Sequence, residues 1–317
     1  MPLAGGYSVR VPIMEISDLI IRHDTITGAR LPVRRGDVVG ALQAAGDRRG
    51  ARIVASLPHR DGVLDGAAVE RLLVRTHTEL QRLNEELRIA EQLAQLLAAL
   101  LAAVARPGER PRVVDVGCGI GYAVRWLAAT GVLGDVELCG VDFNAALVDE
   151  ANRLAIAEGL PCQFVHGDAF ALPASATIYT SNGLLHHLRG ADLGAFFRAQ
   201  DAAGARAYCH FDIAATRLAP LGAWIFHRAR MREPLGRHDG VASARRAHAD
   251  HELLAAAGSA PGLVPALYRP THHSNPFCAS IRPVLGVRPQ DFPAVRDALG
   301  RSARHLVSES RPRRRPW

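Results

Sequence analysis

The 317-residue chain contains no lysine, so all 38 of its basic side chains are arginine, against 31 acidic residues and a formal charge of +7. Beside so much Ala, Gly and Pro, this reads as a coding bias rather than a functional signal. Four arginines stand in the last seven residues (Arg311, Arg313, Arg314, Arg315), interleaved with Pro312 and Pro316. The rest of the chain is therefore only mildly basic. A dedicated nucleic-acid binder clusters such charge along a folded face, so the tail is expected to be a solvated extension. Also missing is any Cys-x-x-Cys pair among the five cysteines, at 118, 139, 162, 209 and 278. That argues against a zinc ribbon or a disulfide framework and fits a reducing cytosol. No apolar run reaches the roughly 18 residues of a membrane span, and the richest, 93–105, is short and Ala-heavy. Residues 1–10 lack the basic-then-apolar pattern of a secretory leader. The expectation is a cytoplasmic protein without a membrane partner.

What is present divides into three zones. Residues 1–64 mix short apolar runs with Gly- and Arg-rich turns and show no recognisable chemistry. From 66 to 105, leucines at 72, 73, 80, 83, 87, 93, 96, 97, 100 and 101 recur at helical spacing without breakers, as one helix or as two meeting near Asn84. Pro107 and Gly108 end it. Beyond lies an alternation of strands (112–116, 136–141, 163–166, 177–181, 206–212) with helices (122–129, 145–158, 192–203). Such alternation predicts an α/β fold, a doubly wound, mostly parallel Rossmann-like sheet with right-handed crossovers. Residues 214–232 and 241–257 read as further helices, and 262–268 with 277–287 as a closing hairpin.

The sharpest feature is Asp115-Val116-Gly117-Cys118-Gly119-Ile120-Gly121-Tyr122, a strand end running into Gly-x-Gly-x-Gly and then a helix. Glycines there let the chain turn tightly and let a ligand approach the backbone. Dinucleotide folds usually carry Gly-x-Gly-x-x-Gly. Here the third glycine comes one residue early, and an acid precedes the cluster. A carboxylate at Asp115 would repel a pyrophosphate but suits a ligand bearing an ammonium group. The second strand ends in Asp142-Phe143-Asn144, placed to accept from ribose hydroxyls. The third is followed by Gly167-Asp168-Ala169, where Asp168 could accept from an adenine amino group. Three acids at three successive strand ends would converge on one crevice, as open α/β sheets direct.

These residues, with Ser181-Asn182-Gly183-Leu184-Leu185-His186-His187-Leu188 after the fourth strand, resemble a class I S-adenosylmethionine-dependent methyltransferase over about 110–215. The resemblance implies S-adenosylmethionine as cofactor. It further implies Gly117–Gly119 backbone at the methionyl part, Asp142 at the ribose, Gly167 to Ala169 at the adenine, and Ser181 and Asn182 beside the sulfonium. Asp115, Cys118, Gly121, Tyr122, Phe143 and Asn144 complete that candidate set. A weaker similarity through 211–213 and 237–246 points to a bacterial branch acting on small aromatic or polyketide-like acceptors. The domain reading is then an N-terminal extension over 1–106, helical mostly from 66, and a methyltransferase domain over 107–290. The latter carries a lid at about 214–257 after the fifth strand, and 291–317 forms a C-terminal helix and Arg-rich tail.

Methyl transfer from a sulfonium is an in-line displacement that asks the enzyme to align a nucleophile about 3 Å away and exclude water. His186 and His187 are the candidates for a base, since histidine titrates near neutrality. On the acceptor side stand Asp212, Trp224, Phe226, His238 and Arg245: an apolar pocket lined by Trp224 or Phe226, with His238 (read as lying in a loop) or Arg245 nearby. His210 and Asp212 are expected at opposite ends or faces of their strand. His272-His273 with Cys278 do not have metal-ligand spacing, and the Asn/Asp-Pro-Pro-aromatic motif of base-amine methylation is absent. The expectation is therefore a metal-independent methyltransferase acting on O, N or C of a small molecule, without a nucleic-acid partner. Open alternatives are an RNA or protein methyltransferase, a non-catalytic nucleoside-binding protein, and an NAD-dependent dehydrogenase. A homodimer is left open.

Overall fold

The computed structural model describes residues 13–24, 29–172, 176–269 and 281–308. The arginine tail, the stretch 1–10 and the group His272, His273 and Cys278 lie outside the described residues. Regular structure begins earlier than the sequence pattern indicates. Helices α1 (Ile16–Ile20), α2 (Arg35–Ala44) and α3 (Arg48–Ala55) precede a small antiparallel pair, β1 (His59–Arg60) with β2 (Val63–Leu64). These helices are too short for their apolar spacing to stand out, and Asp47 caps α3 by accepting from Gly50 N at 2.8 Å. The long leucine pattern forms two helices, α4 (Gly66–Glu86) and α5 (Ile89–Val104), bent by 68°. The break falls at Leu87 and Arg88, not at Asn84, with Arg88 in left-handed backbone at φ 53°. Among the described residues no single helix is long and apolar enough to cross a membrane.

The alternation that follows matches its expectation to within one or two residues: β3 (Arg112–Val116), α6 (Tyr122–Thr130), β4 (Glu137–Asp142), α7 (Ala145–Ala157), β5 (Cys162–His166), β6 (Ile178–Asn182), α8 (Ala191–Ala202) and β7 (Ala207–Ile213). Then come α9 (Ala219–Arg230), α10 (Pro234–Arg246), α11 (Asp250–Ala257), β8 (Val264–Tyr268), β9 (Ile281–Val287), α12 (Phe292–Leu299) and β10 (Leu306–Val307). The sheet order is β10-β8-β9-β7-β6-β3-β4-β5, and the neighbours from β7 through to β5 pair in parallel. The closing strands β8 and β9 pair antiparallel as expected, with the later one inserted between β7 and β8. Strand order reverses at β3, which has β4 on one side and β6 on the other. The ends of β3 and β6 therefore flank the crevice where such sheets bind ligands.

Apolar side chains cover both faces. Leu93, Leu97, Val124, Val148 and Val295 of α5, α6, α7 and α12 pack on one, and Phe196, Phe197, Leu253 and Leu254 of α8 and α11 on the other. A third cluster joins α1 to α4 with Leu235 of α10 and, from the nucleotide-binding end of the sheet, Ile120 and Leu147. The N-terminal helices thus sit over the glycine turn and share a core with it, where the sequence reading set them apart as an extension. The stretch taken as one lid divides in the same way. Helix α11 belongs to the sheet's own covering layer and α10 to the third cluster, while α9 buries only Ala219.

Candidate active site

The glycine turn builds a cradle that only glycine permits. Gly119 has φ 55°, and a Cβ there would lie 2.7 Å from Cδ2 of His77 on α4; at Gly121, φ 75°, it would run into the ring of Phe164 on β5. Beneath the turn, Cys118 and Gly117 both donate backbone N–H groups to Val141 O. Burial pushes the Cys118 thiol well up, so it stays protonated. Tyr122 opens α6, its hydroxyl pushed up to about 12 by burial.

The three acids stand at three successive strand ends, in different states. Asp115 on β3 is buried with Oδ1 unpartnered, and burial, aided by Asp142 nearby, raises its pKa to about 7. Such an orphaned carboxylate oxygen, next to a backbone cradle, fits a ligand that brings an ammonium group. Asp142 on β4 accepts from Gly119 N at 2.8 Å and from Asn144 N at 2.9 Å. Burial raises its pKa against those two bonds. Each of its oxygens keeps a second lone pair for a ligand hydroxyl. Asp168, after β5, is exposed and accepts from Phe170 N. Gly167 and Ala169 beside it are partly buried, and Phe143 is exposed with its ring edge-on to His23.

Two members of the sequence-based cofactor set have side-chain partners within the protein. The Asn144 side chain accepts from Ala146 N and Leu147 N and caps α7. Ser181 is fully buried, its hydroxyl 2.9 Å from Nδ1 of His210, whose Nε2 reaches Gln200 at 3.0 Å. Burial lowers the His210 pKa to about 3 and keeps it neutral. This trio faces the α8 layer and not a cofactor, because β6 pairs register by register with β7 (Ser181 with His210) under α8. Asn182, next along, is partly exposed at the strand end. His210 and Asp212 share one face of β7, as the two-residue period of a strand requires, not opposite faces.

After β6 a short 3-10 turn carries the histidine pair. Asp212 is buried and holds His186 twice, Oδ2 accepting from its backbone N at 2.9 Å and Oδ1 from ring Nδ1 at 2.8 Å. Its carboxylate is thus spent on His186, which corrects its reading as an acceptor contact. His187 Nδ1 donates to Asp18 on α1 at 2.8 Å. Burial alone would raise the Asp18 pKa, but His187 and Arg246 hold it at about 2. Both Nε2 atoms face Glu15, at 3.8 Å from His186 and 3.7 Å from His187. Glu15 is 2% exposed, and burial raises its pKa to about 7. Arg246 donates to the carbonyls of His186 and His187 and pairs with Asp18. Arg245, the arginine selected from sequence, is exposed; the helical turn of α10 points its neighbour inward instead.

Glu15, Asp18, His77 and Arg246 escaped the sequence reading. Glu15 and Asp18 interrupt an apolar run (13–21), and His77 interrupts the leucine pattern of α4; isolated polar residues in apolar stretches were the only signal. On the acceptor side the chosen residues stand on β7, α9 and α10. Trp224 is 47% exposed, alongside exposed Leu218, Leu221 and Ile225, and Phe226 is partly buried with its ring near His227.

His238 lies inside α10, not in a loop, and both its ring nitrogens meet carboxylates: Asp47 at 2.6 Å and Asp239 at 2.7 Å. Asp239 in turn caps α1 by accepting from Ile16 N and Ser17 N. Burial alone would lower the His238 pKa, but Asp239 and Asp47 carry it above its ordinary value. A raised folded pKa means that the stabilisation is fully present below about 6.5, the unfolded value, and is lost as pH rises through the folded value. His238→Ala should therefore cost on the order of 1.5–3 kcal/mol at pH 6 and distinctly less at pH 9, by urea unfolding at both. Equal losses at the two pH values would show that the clamp is not charged.

A model of a family described as a methyltransferase domain matches residues 113–202, which runs from β3 to the end of α8. No curated protein matches the chain. Among solved structures, magnesium protoporphyrin IX methyltransferase from Synechocystis PCC 6803, with bound S-adenosylhomocysteine, is 17% identical, with 80% of this chain and 99% of that one covered at a TM-score of 0.45. A TehB-like SAM-dependent methyltransferase from Corynebacterium glutamicum is 15% identical, with 60% and 86% covered at 0.40. A SAM-dependent methyltransferase from Aquifex aeolicus is 14% identical, with 56% and 84% covered, also at 0.40. The family model falls on the strands and turns that build the cradle and the three acids, so residues 113–202 match a methyltransferase domain.

Proposed function

We propose that the chain is a class I methyltransferase that uses S-adenosylmethionine and acts on O, N or C of a small-molecule acceptor, of the size of an aromatic or polyketide-like metabolite. The observation that carries this reading is the roof over the glycine turn. Helices α1 to α4 and α10 share a buried cluster with Ile120 and Leu147, and His77 lies directly against Gly119. A crevice covered in that way admits a compact ligand and keeps out a folded RNA or protein. Backbone at Gly117 to Gly119 holds the methionyl part, with Asp115 facing its ammonium. Asp142 accepts from the ribose, and Gly167, Asp168 and Ala169 take the adenine edge. The cofactor, when bound, supplies an electrophilic methyl group on its sulfonium. The chain's task is then to place the acceptor and exclude water. The polar wall facing the acceptor is the group Glu15, His186 and His187.

The experiment is a thermal-shift and calorimetric titration of the full chain with S-adenosylhomocysteine and NADH, followed by assay against a panel of phenols, amines and carboxylic acids. Binding of S-adenosylhomocysteine alone, with methylation of a panel member, is the expected result. Activity confined to RNA, falling steeply with added salt as polyanion binding does, would overturn the small-molecule reading.

A further inference from the structure

We propose that Glu15, His186 and His187 form a binding site for one divalent transition-metal ion of the zinc class. The inference goes beyond methyl transfer and does not depend on it; it departs from the metal-free expectation drawn from the sequence. Its basis is the geometry of three groups on two elements far apart in the chain. One carboxylate oxygen of Glu15 and one ring nitrogen from each histidine lie within 4.8 Å of one another, with Glu15 and His186 buried and His187 partly so.

The proton positions leave these groups free to take a metal ion. His186 Nδ1 donates to Asp212 and His187 Nδ1 donates to Asp18, both at 2.8 Å. In the neutral ring that leaves Nε2 as the lone-pair nitrogen of each. Both lone pairs point at Glu15, itself an acceptor when ionised. The separations, 3.8 Å from His186 Nε2 to Glu15 Oε1 and 3.7 Å from His187 Nε2 to Glu15 Oε2, are too long for hydrogen bonds. Glu15 Oε1 is buried and accepts no hydrogen bond. Its nearest cation is Arg246 Nη1 at 3.2 Å, which lacks hydrogen-bond geometry and is already engaged with Asp18. Three acceptors thus face a common gap. Tetrahedral zinc, with bonds of about 2.0–2.2 Å, sets its ligand atoms about 3.3–3.5 Å apart, so ligand atoms that lie within 4.8 Å of one another close the shell by drawing in by at most about 1.5 Å.

The surroundings hold this arrangement from behind. A carboxylate on the far nitrogen of a metal-binding histidine fixes the tautomer and orients the ring, and both histidines have one, Asp212 and Asp18. Arg246 bonds the carbonyls of His186 and His187, and Asp239 caps the helix that starts at Ile16, next to Glu15. Helix α10 therefore sets both halves of the ligand set. Three protein ligands leave a coordination position for water or for an oxygen of the acceptor, the pattern of an open site rather than a structural one.

The test uses the full chain after chelator treatment, titrated with Co²⁺ and followed by its visible ligand-field absorption, then displaced with Zn²⁺. One equivalent of Co²⁺ should bind, and Zn²⁺ should displace it. His187→Ala and Glu15→Gln should each weaken binding at least 100-fold, and Asp18→Asn, which alters the orienting bond and the pairing with Arg246 but no ligand atom, about 10- to 100-fold. Thermal unfolding identifies any variant that fails to fold. Asp18→Asn, at the partly exposed flank, carries the test if the buried Glu15 variant does not. Absence of a stoichiometric Co²⁺ spectrum overturns the site, as does undiminished binding in folded His187→Ala.

Discussion

Replacing Asp142 by alanine should weaken S-adenosylhomocysteine binding about tenfold to hundredfold. The variant loses a charged acceptor, worth about 1.5–3 kcal/mol per hydrogen-bonded partner. The structure adds a second reason for a large effect. Asp142 also accepts the N–H groups of Gly119 and Asn144. It therefore ties the glycine turn to the end of β4, and removing it leaves two buried donors without partners. Asp142→Asn keeps one oxygen acceptor and should fall between the two. Calorimetry with S-adenosylhomocysteine, beside a thermal melt of the free protein, separates lost ligand contact from a loosened turn. Unchanged affinity in a folded Asp142→Ala protein would contradict the cofactor site.

The largest stability effect is expected at Asp212. Its carboxylate takes the backbone and ring N–H of His186 as well as the Ile213 N–H, all at 2.6–2.9 Å and in a buried setting. Truncation to alanine strands these donors away from water, and a buried network broken on one side costs about 3–5 kcal/mol. That is a large part of the total stability of an ordinary domain. Asp212→Asn, which still accepts at one oxygen, should cost less than half as much. Urea unfolding of the two variants checks the order. A loss below about 1 kcal/mol for Asp212→Ala would mean that His186 finds another partner and that the pair is not held as described.

The sequence placed the candidate residues correctly in the fold where neighbours in the chain set their position. Gly117 to Gly121, Asp142 and Asp168 each lie within a few residues of a strand end, and a strand end fixes where such residues go. It failed where the partner is remote. The family resemblance set Ser181 beside the sulfonium, yet β7 lies alongside and its His210 claims the hydroxyl. Arg245 was chosen over Arg246 because adjacent residues are equivalent in a string and about 100° apart on a helix. Glu15 and Asp18 carried no motif; their role exists only because α1 is docked more than 160 positions away from the histidines it meets.

The sequence alone determined the sheet, through β-rich runs alternating with helical periods, and the placing of acids and glycines at successive strand ends. Both are local properties, written in spacings of two, three and four residues. Tertiary structure decided which face each polar group presents and what covers the crevice. It placed the N-terminal helices over the glycine turn, clamped His238 between two carboxylates and brought Glu15 to the histidine pair. Those outcomes depend on packing between segments with no shared period. Burial, which turned a scattered set of acids and histidines into one interacting group, arises only when the segments come together.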